Sequence, residues 1–391
     1  MTDQALFAGT NFLTSILLAR WLEPAAYGAF SLAYAVFLLV GTLHAGLLTE
    51  PMLVYGSGRF RESFNAYQRI LLGYHWRFGA LAALVFFLLA TVSWAAGSLE
   101  LAKSFLGLAF AAPAVLYLWI VRRGAYVLLE PRLAALGGGL YLLVHLPLAI
   151  LLLHANLLDA TTAFLAMAAA GLLAAEVIRS RLKAGTKRNA KPEEVRNLHW
   201  SYGRWALLAG LLSWVPANIF YLLLPAFHGL ETAAQFKALM NLLMPILHFN
   251  GALGQLLVPG MVRVLSTDKL RRFALISLAV LVAFALTYWL LLAAVGKNLM
   301  DGMYGGKYID VADWLVWLGI IPILASMGEV MSSALRAMEK PGTVALVYGQ
   351  LAVFTLLTGT ILVKNYGIGG SIMTFIFSNM ILSYSFFNKL K

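Results

Sequence analysis

The chain contains no cysteine among its 391 residues. This excludes disulfides, thiolate nucleophiles, iron–sulfur clusters and cysteine-based zinc sites. Charged residues are also scarce, at 12% of the chain, and no polar stretch is long enough to fold as a separate soluble domain. What the chain has is apolar: 61% of its residues are hydrophobic and its mean hydropathy is +0.81. This composition is typical of integral membrane proteins.

Apolar runs of about 20 residues, the length that crosses a bilayer, recur along the whole chain. We predict an all-α, polytopic membrane protein with about twelve transmembrane helices in two six-helix lobes around a central cavity. The predicted spans cover residues 5–22, 30–48, 78–97, 105–121, 136–153, 161–177, 206–224, 234–257, 273–295, 311–335, 344–363 and 368–387.

Lysine and arginine are distributed unevenly between alternate loops. One side of the membrane receives most of them, whereas the other side receives only Arg20, Lys103, Lys237, Lys297, Lys307 and Lys364. The positive-inside rule makes the richer side cytoplasmic, with both termini on it. The net charge of +12 is then a signal of orientation and an attraction to anionic headgroups. We therefore expect membrane lipids, and no nucleic acid, as partners.

The longest hydrophilic segment divides the chain into halves. We predict an N-terminal six-helix lobe at 1–178, a basic cytoplasmic linker at 179–204 and a C-terminal six-helix lobe at 205–391. Short internal matches support a duplication, because ALFAG at 5–9 opens the first half and ALLAG at 206–210 opens the second. Two related lobes are a common plan of transporters.

Four local sequences carry a family resemblance over essentially the whole chain. They are FLTSILLARWLEPAAYGAFSLA at 12–33, LTEPMLVYG at 48–56, HGLETAAQFKALMNLLMPI at 228–246 and MYGGKY at 303–308. In their order and spacing they resemble polysaccharide flippases, the O-antigen and exopolysaccharide lipid transporters of the multidrug/oligosaccharidyl-lipid/polysaccharide exporter superfamily.

The resemblance implies a function in the bacterial inner (cytoplasmic) membrane. Such a protein moves an undecaprenyl-diphosphate-linked oligosaccharide from the cytoplasmic to the outer leaflet by alternating access, for cell-surface polysaccharide synthesis. The lipid-linked oligosaccharide would be the substrate, and a polysaccharide polymerase and glycosyltransferases are the expected partners.

The eighth span carries a polar stripe. Lys237, Asn241, Met244, His248 and Gln255 are separated by close to whole helical turns, so they share one face of a helix. One interpretation is a cavity wall, in which Lys237 attracts a diphosphate or acidic sugars and the amides bind sugar hydroxyls. The alternative is polar contact between helices, which is common in membrane bundles.

The tenth span carries a second stripe, formed by Pro322, Ser326, Glu329, Ser333 and Arg336. An ionisable group inside an apolar helix is a candidate for binding a coupling proton or ion, and Glu329 is that candidate. The alternative is a structural ion pair with Arg336 or with a neighbouring helix.

Other polar or aromatic residues fall within the first and seventh spans. Asn218 and Tyr221 share a face with Trp214 and could stack on sugars or simply pack. Asn11 lies on a mildly polar face that either opposes the eighth-span stripe or bonds to a neighbouring helix. Arg20, nearly opposite Asn11 on a straight helix, either reaches the outer interface or turns toward the cavity if the helix bends.

Three functions fit a chain of this kind. A lipid-linked oligosaccharide flippase is favoured, and an ion-coupled exporter of small molecules or drugs is the alternative. A polytopic glycosyltransferase is less favoured, since such enzymes need catalytic acids in a sizeable loop, and the longest loop offers only Glu193 and Glu194. We therefore predict a transporter and not an enzyme, with no cofactor and no metal site.

Overall fold

The computed structural model describes residues 2–182, 190–264, 269–338 and 341–390. The side chain of Gln255 and the linker cations Lys183, Lys187 and Arg188 lie outside the described residues. All regular secondary structure in the described part of the chain is helical, as predicted from the composition.

The first six predicted spans are occupied by helices. In chain order these are α1 (Thr2–Trp21), α2 (Pro24–His44), a π-helical turn (Ala45–Thr49), α3 (Glu50–Ser57), α4 (Phe64–Ala95), α5 (Leu99–Val127), α6 (Pro131–His154) and α7 (Ala160–Arg181). The run from α2 through the π-helical turn to α3 is one span, Pro24–Ser57.

The remaining predicted spans are also helical. The helices are α8 (Pro192–Asn218), α9 (Phe220–His228), α10 (Leu230–Val264), α11 (Lys269–Tyr304), α12 (Trp314–Leu318), α13 (Ile320–Ala337) and α14 (Pro341–Leu390). A bend of 45° separates α8 from α9. Within α14, Gly367 has φ 54° and ψ −127°, a conformation that glycine tolerates, and this break separates the eleventh and twelfth spans.

By length and composition alone, eight helices in the described part of the chain could cross a membrane, and nine if α8 and α9 count as one bent span. One of the eight, Gly342–Asn388, contains two predicted spans. Helices α1 and α10 fall outside this count but occupy the first and eighth predicted spans. Every predicted span is therefore helical, and the chain is a multi-pass membrane protein.

Contacts divide the chain into two compact units, Met1–Leu211 and Leu212–Lys391. The division falls inside α8, which begins at Pro192 within the predicted linker. Proline at the first helical position, followed by Glu193 and Glu194 in the first turn, favours a helix start there. The hydrophilic segment is therefore partly an extension of a transmembrane helix.

Helix α5 is the centre of the first unit. Its apolar stretch is 78% buried, against 22% for α4, which packs on its side. Small residues let α5 and α7 approach closely: a Cβ on Gly107 would lie 2.9 Å from the backbone of Thr161, and one on Gly171 would lie 3.4 Å from the carbonyl oxygen of Ala114. Close approach of backbones at small residues is the usual way that helices pack in a membrane.

Helix α13 holds the second unit together by packing on α10, α11 and α14. One apolar cluster includes Leu257, Leu281 and Val330, and another joins Leu335 to Phe386. These contacts fix α10 and α13, the two helices that carry the polar stripes.

Candidate functional site

The first unit contains a cavity of about 260 Å³, which we call the arginine cavity. Its walls come from α1, the π-helical turn and the end of α5. No acidic residue is among its described lining residues, which are Phe7, Ala45, Thr49, Trp119, Arg122, Arg123 and Tyr126. Pockets for drug-sized molecules measure roughly 300–1,000 Å³, so this cavity has room for a charged headgroup but not for an oligosaccharide.

Pro51 explains the π-helical turn. In an α-helix the N–H of residue 51 would bond to the carbonyl of Leu47, but proline has no N–H. The helix widens, and the N–H of Glu50 bonds to the carbonyl of Ala45, five residues back. π-helical turns often mark functional sites, and this one supplies Ala45 and Thr49 to the cavity wall.

Helix α8 donates a hydrogen bond to the carbonyl of Leu47, whose α-helical donor is missing because residue 51 is proline. Nδ1 of His199 donates to the oxygen of Leu47 at 2.9 Å, and Nε2 of the same ring lies 2.6 Å from Oη of Tyr67. Close approach makes this possible, because a Cβ on Gly203 would lie 2.9 Å from the carbonyl oxygen of Gly46. The first half of α8 is thereby anchored to the π-helical turn.

Arg122 and Arg123 supply positive charge to the cavity. Arg122 is buried, with 9% of its surface exposed, and its guanidinium carbon lies 4.2 Å from the centre of the Phe7 ring. Arg123 is more exposed and faces Glu50, with 3.8 Å between Nη2 and Oε1. The π face of the Phe7 ring attracts the guanidinium of Arg122 and helps to fix its position.

The chemistry of the lining suits an anion. Guanidinium groups form paired hydrogen bonds to carboxylate or phosphate oxygens, and Thr49 adds a hydroxyl. Nε1 of Trp119 is buried and has no hydrogen-bond partner among the described residues, so it is a further available donor. The arrangement can bind a phosphate or carboxylate group.

In the second unit, Lys237 and Tyr221 are in contact. Nζ of Lys237 lies 5.6 Å from the centre of the Tyr221 ring, and that ring packs edge-on against Phe236 at 5.4 Å. Tyr221 is buried at 6% exposure, and Lys237 is half-buried. The structure thus brings together two of the predicted site residues, one from α9 and one from α10.

Asn241 is more buried than the other described members of the eighth-span stripe. It is buried at 1% exposure, and its Nδ2 lies 3.5 Å from Oη of Tyr304, which donates to the carbonyl of Ala238 at 3.0 Å. Four residues advance a helix by about 400°, so Asn241 stays within about 40° of Lys237 on the same side of α10. His248 is exposed, and the side chain of Gln255 lies outside the described residues. The contact of Asn241 with Tyr304 joins α10 to α11.

The tenth-span stripe has a similar mixture of environments. Ser326 is buried and bonds to Nδ2 of Asn250 on α10 at 3.1 Å. Glu329 is half-buried and Arg336 is exposed, and neither has an ion-pair partner in the described part of the chain. Ser326 therefore joins two helices, while Glu329 stays a candidate for binding a coupling ion.

Asn218 is the last residue of α8 and lies at the 45° bend. Its Nδ2 donates to the carbonyl of Trp214 at 3.2 Å, next to Pro216, which cannot donate to the helix. Trp214 itself is buried at 8% exposure. The contact shown for Asn218 is local to its own helix.

The mildly polar face of α1 bonds to neighbouring helices. Oγ1 of Thr14 lies 2.9 Å from Nε2 of His145 on α6, and Oγ of Ser15 lies 2.8 Å from Oη of Tyr27 on α2. Asn11 is half-buried and Arg20 is exposed. These two predicted site residues belong to the first unit and lie on different sides of α1.

Sequence reasoning did not identify the arginine cavity. It counted Arg122 and Arg123 as loop cations, whereas α5 continues to Val127, six residues past the predicted end of the fourth span. The pair of arginines after an aromatic run was the available signal. Nothing in the sequence signals the contact with Phe7, because it joins residues more than a hundred positions apart.

Comparison with known proteins gives a fold. No family model matches the chain, and no curated protein matches it. Solved structures, in contrast, do match the chain. An inward-facing multidrug resistance MATE family transporter of the MOP superfamily matches with a TM-score of 0.84 at 13% identity, covering 97% of this chain and 92% of that chain.

An outward-facing MATE family transporter matches with a TM-score of 0.70 at 14% identity, over 99% of this chain and 91% of that one. A MOP superfamily transporter from Pyrococcus furiosus also matches at 0.70, with 13% identity and coverage of 99% and 92%. The binding pocket of that protein is described as having reversed polarity, which suggests a different function for it. The chain has the fold of the MATE transporters of the MOP superfamily.

Proposed function

We propose that this protein is a transporter that flips undecaprenyl-diphosphate-linked oligosaccharide across the bacterial inner membrane by alternating access. The observation that carries the proposal is the arginine cavity, whose lining includes the guanidinium groups of Arg122 and Arg123. A diphosphate is the one group common to all such substrates, whatever their sugars. A cationic cavity of headgroup size favours a substrate of this charge.

The fold and the sequence resemblance support the same proposal. Transporters of similar fold are known in two named conformations, inward-facing and outward-facing, as alternating access requires. Both termini would lie in the cytoplasm, the lipid tail would remain in the bilayer, and the product would pass to a polysaccharide polymerase. Glycosyltransferases on the cytoplasmic side would supply the substrate.

Lys237, in the second unit, is a separate candidate for contact with the substrate. The Tyr221 ring beside it attracts the ammonium group and also offers a flat face for a sugar. His248 and Asn11 are further candidates, whereas Asn241, Asn218 and Arg20 would contribute only if their present surroundings change during transport. Glu329 remains the candidate for binding a coupling ion.

An ion-coupled exporter of small molecules is the second candidate. The observation in its favour is that two of the matching structures are multidrug resistance transporters. The charge of the cavity separates the two functions, because exported drugs are commonly cationic and would be repelled by paired arginines.

The test is transport by the purified protein in liposomes, with two substrates offered separately. One is an undecaprenyl-diphosphate-linked oligosaccharide, and the other is a cationic fluorescent dye. We expect the lipid-linked substrate to change leaflets and the dye to stay outside. Transport of the dye without movement of the lipid-linked substrate would refute the flippase and support the exporter.

A further inference from the structure

A carboxylate lies beside the arginine cavity, at the start of α3. Oε1 of Glu50 is 3.8 Å from Nη2 of Arg123, which lines the cavity. Glu50 directly follows Thr49, another lining residue, although Glu50 is not among the described lining residues itself. An anion that binds Arg123 therefore meets a negative charge that belongs to the protein.

The contact between Glu50 and Arg123 is an ion pair without a hydrogen bond. Charge-assisted hydrogen bonds from N–H to oxygen measure about 2.7–2.9 Å, and Arg179 approaches Glu176 closely enough to form one, at 2.6 Å. At 3.8 Å, Glu50 and Arg123 attract each other only as charges. Both side chains are partly exposed, at 42% for Glu50 and 40% for Arg123. Exposed ion pairs of this kind contribute little to stability.

Arg123 keeps its capacity to donate hydrogen bonds. A guanidinium has five N–H donors, and within the described residues the side chain of Arg123 has the Glu50 ion pair and no hydrogen bond. A phosphate group can therefore form bonds to Arg123 that the Glu50 carboxylate does not form in this structure. Because two negative groups at one guanidinium repel each other, the incoming anion and the carboxylate compete for it.

The side chain of Glu50 can leave Arg123 while its backbone stays in place. The N–H of Glu50 bonds to the carbonyl of Ala45 across the π-helical turn, and Pro51, the next residue, has a fixed φ. The glutamate side chain rotates about several bonds and lies partly in solvent. Its carboxylate can thus turn away from the cavity without a change in the fold.

We infer that Glu50 is an internal competitor for Arg123. Its carboxylate pairs with Arg123 when the arginine cavity is empty, and the anionic group of the substrate replaces it. The inference rests on the proposed function, because it assumes that the cavity binds the diphosphate. Glu50 lowers the affinity of the cavity and supplies a counter-charge to Arg123 when the substrate leaves. A transport site needs such a limit, since a site that binds too tightly does not release its cargo.

The strength of the ion pair sets the size of the effect. Exposed ion pairs favour the closed form by about 1.4- to 5-fold, which leaves Arg123 open in roughly 17–42% of the molecules. The apparent dissociation constant for an anion is the intrinsic constant divided by this open fraction. Removal of the carboxylate should therefore tighten anion binding by about 2- to 6-fold.

The test is calorimetry on the purified protein in nanodiscs, with inorganic pyrophosphate as the probe. Glu50→Gln should lower the dissociation constant by about 2- to 6-fold. Glu193→Gln is the matched control, because Glu193 lies 3.9 Å from Arg196 in another exposed ion pair, and it should bind as the native protein does. In proteoliposomes, Glu50→Gln should reach half-maximal flipping of the lipid-linked oligosaccharide at a lower substrate concentration.

A double-mutant cycle shows whether Glu50 acts through Arg123. In the Arg123→Gln background, Glu50→Gln should give no gain in affinity for pyrophosphate, because the cation for which the two anions compete is absent. An equal gain in both backgrounds would show that Glu50 acts by general repulsion, and the competition would be refuted.

Failure of this inference and failure of the proposed function give different results. If pyrophosphate binds to the native protein and Glu50→Gln does not bind it more tightly, the anion cavity stands and the role of Glu50 is refuted. If neither the native protein nor Glu50→Gln binds pyrophosphate, the anion cavity fails and the role of Glu50 fails with it.

Discussion

Arg122 is held by apolar neighbours on two sides. The Phe7 ring lies against its guanidinium, and Gly137 of α6 lies beside its side-chain stem, where an added Cβ would be in ordinary contact with Cγ at 3.8 Å. A cation placed in this way is oriented before any ligand arrives, so binding loses less side-chain freedom. Because Phe7 packs in turn on Tyr141 at 5.1 Å, the orientation depends on a stack that also includes α6.

Replacing Phe7 tests this orientation. Phe7→Leu removes the cation–π contact, which contributes about 0.5–2 kcal/mol, and should weaken pyrophosphate binding by roughly 2- to 30-fold without unfolding the protein. Calorimetry on the purified protein measures the affinity. Phe87→Leu is the matched control, because Phe87 is 54% exposed on α4. Equal affinities of the two variants would show that Phe7 does not position the arginine.

Lys237 is the second cation whose charge we expect to matter. Lys237→Ala should abolish flipping in proteoliposomes with normal expression, and Lys237→Arg should largely preserve it, because arginine keeps both the charge and the attraction to the Tyr221 ring. Lys364→Ala, which removes another lysine of the second unit, serves as the control. Full activity of Lys237→Ala would exclude a role for this residue in substrate binding.

Glu329 is an ionisable group in α13 with no ion-pair partner in the described residues. If it binds a coupling ion, Glu329→Gln should remove the dependence of transport on an ion gradient, because the amide has no charge to offer. The measurement is flipping with and without an imposed gradient, compared with Glu231→Gln at the exposed start of α10. If transport by the variant still depends on the gradient, Glu329 has a structural role and does not bind a coupling ion.

At the scale of elements, departures from regular helix coincide with the candidate sites. The π-helical turn lines the arginine cavity, the bend after Asn218 precedes Tyr221, and the break at Gly367 places the carbonyl of Val363 2.7 Å from His228 Nε2. The sequence contains the causes of the first two, Pro51 and Pro216. Hydropathy alone shows only continuous apolar runs, because it carries no information on which backbone carbonyl loses its hydrogen-bond donor.

Pro51 offers a direct test of the π-helical turn. Pro51→Ala restores an N–H that can bond to the carbonyl of Leu47, so the turn should tighten to an α-helix and the bond from His199 should weaken. We expect a newly protected amide at residue 51 by hydrogen exchange, together with weaker binding of pyrophosphate. Pro147→Ala, which removes a proline inside α6, should change neither. An unprotected amide at residue 51 would show that proline does not cause the turn.

At the scale of the whole molecule, the fold class and the positions of the spans could be predicted, because the length of an apolar run shows whether it can cross a bilayer. The ends of the helices could not be predicted. Helix α4, for example, begins at Phe64, fourteen residues before the predicted span, because a helix can continue beyond the apolar layer. The arginine cavity could not be predicted either, because Phe7, the π-helical turn and Arg122 are distant in sequence. Only the packing of α1 and α2 on the rest of the first unit brings them together.

The most direct measurement of the central claim is the rate at which an undecaprenyl-diphosphate-linked oligosaccharide changes leaflets in proteoliposomes containing Arg122 variants. A hydrogen bond to a charged group contributes about 1.5–3 kcal/mol, so Arg122→Gln should slow flipping by about 10- to 100-fold, with Arg122→Lys in between. Arg196→Gln, at an exposed ion pair with Glu193, should match the native protein. Native rates in Arg122→Gln would contradict recognition of the diphosphate by the arginine cavity.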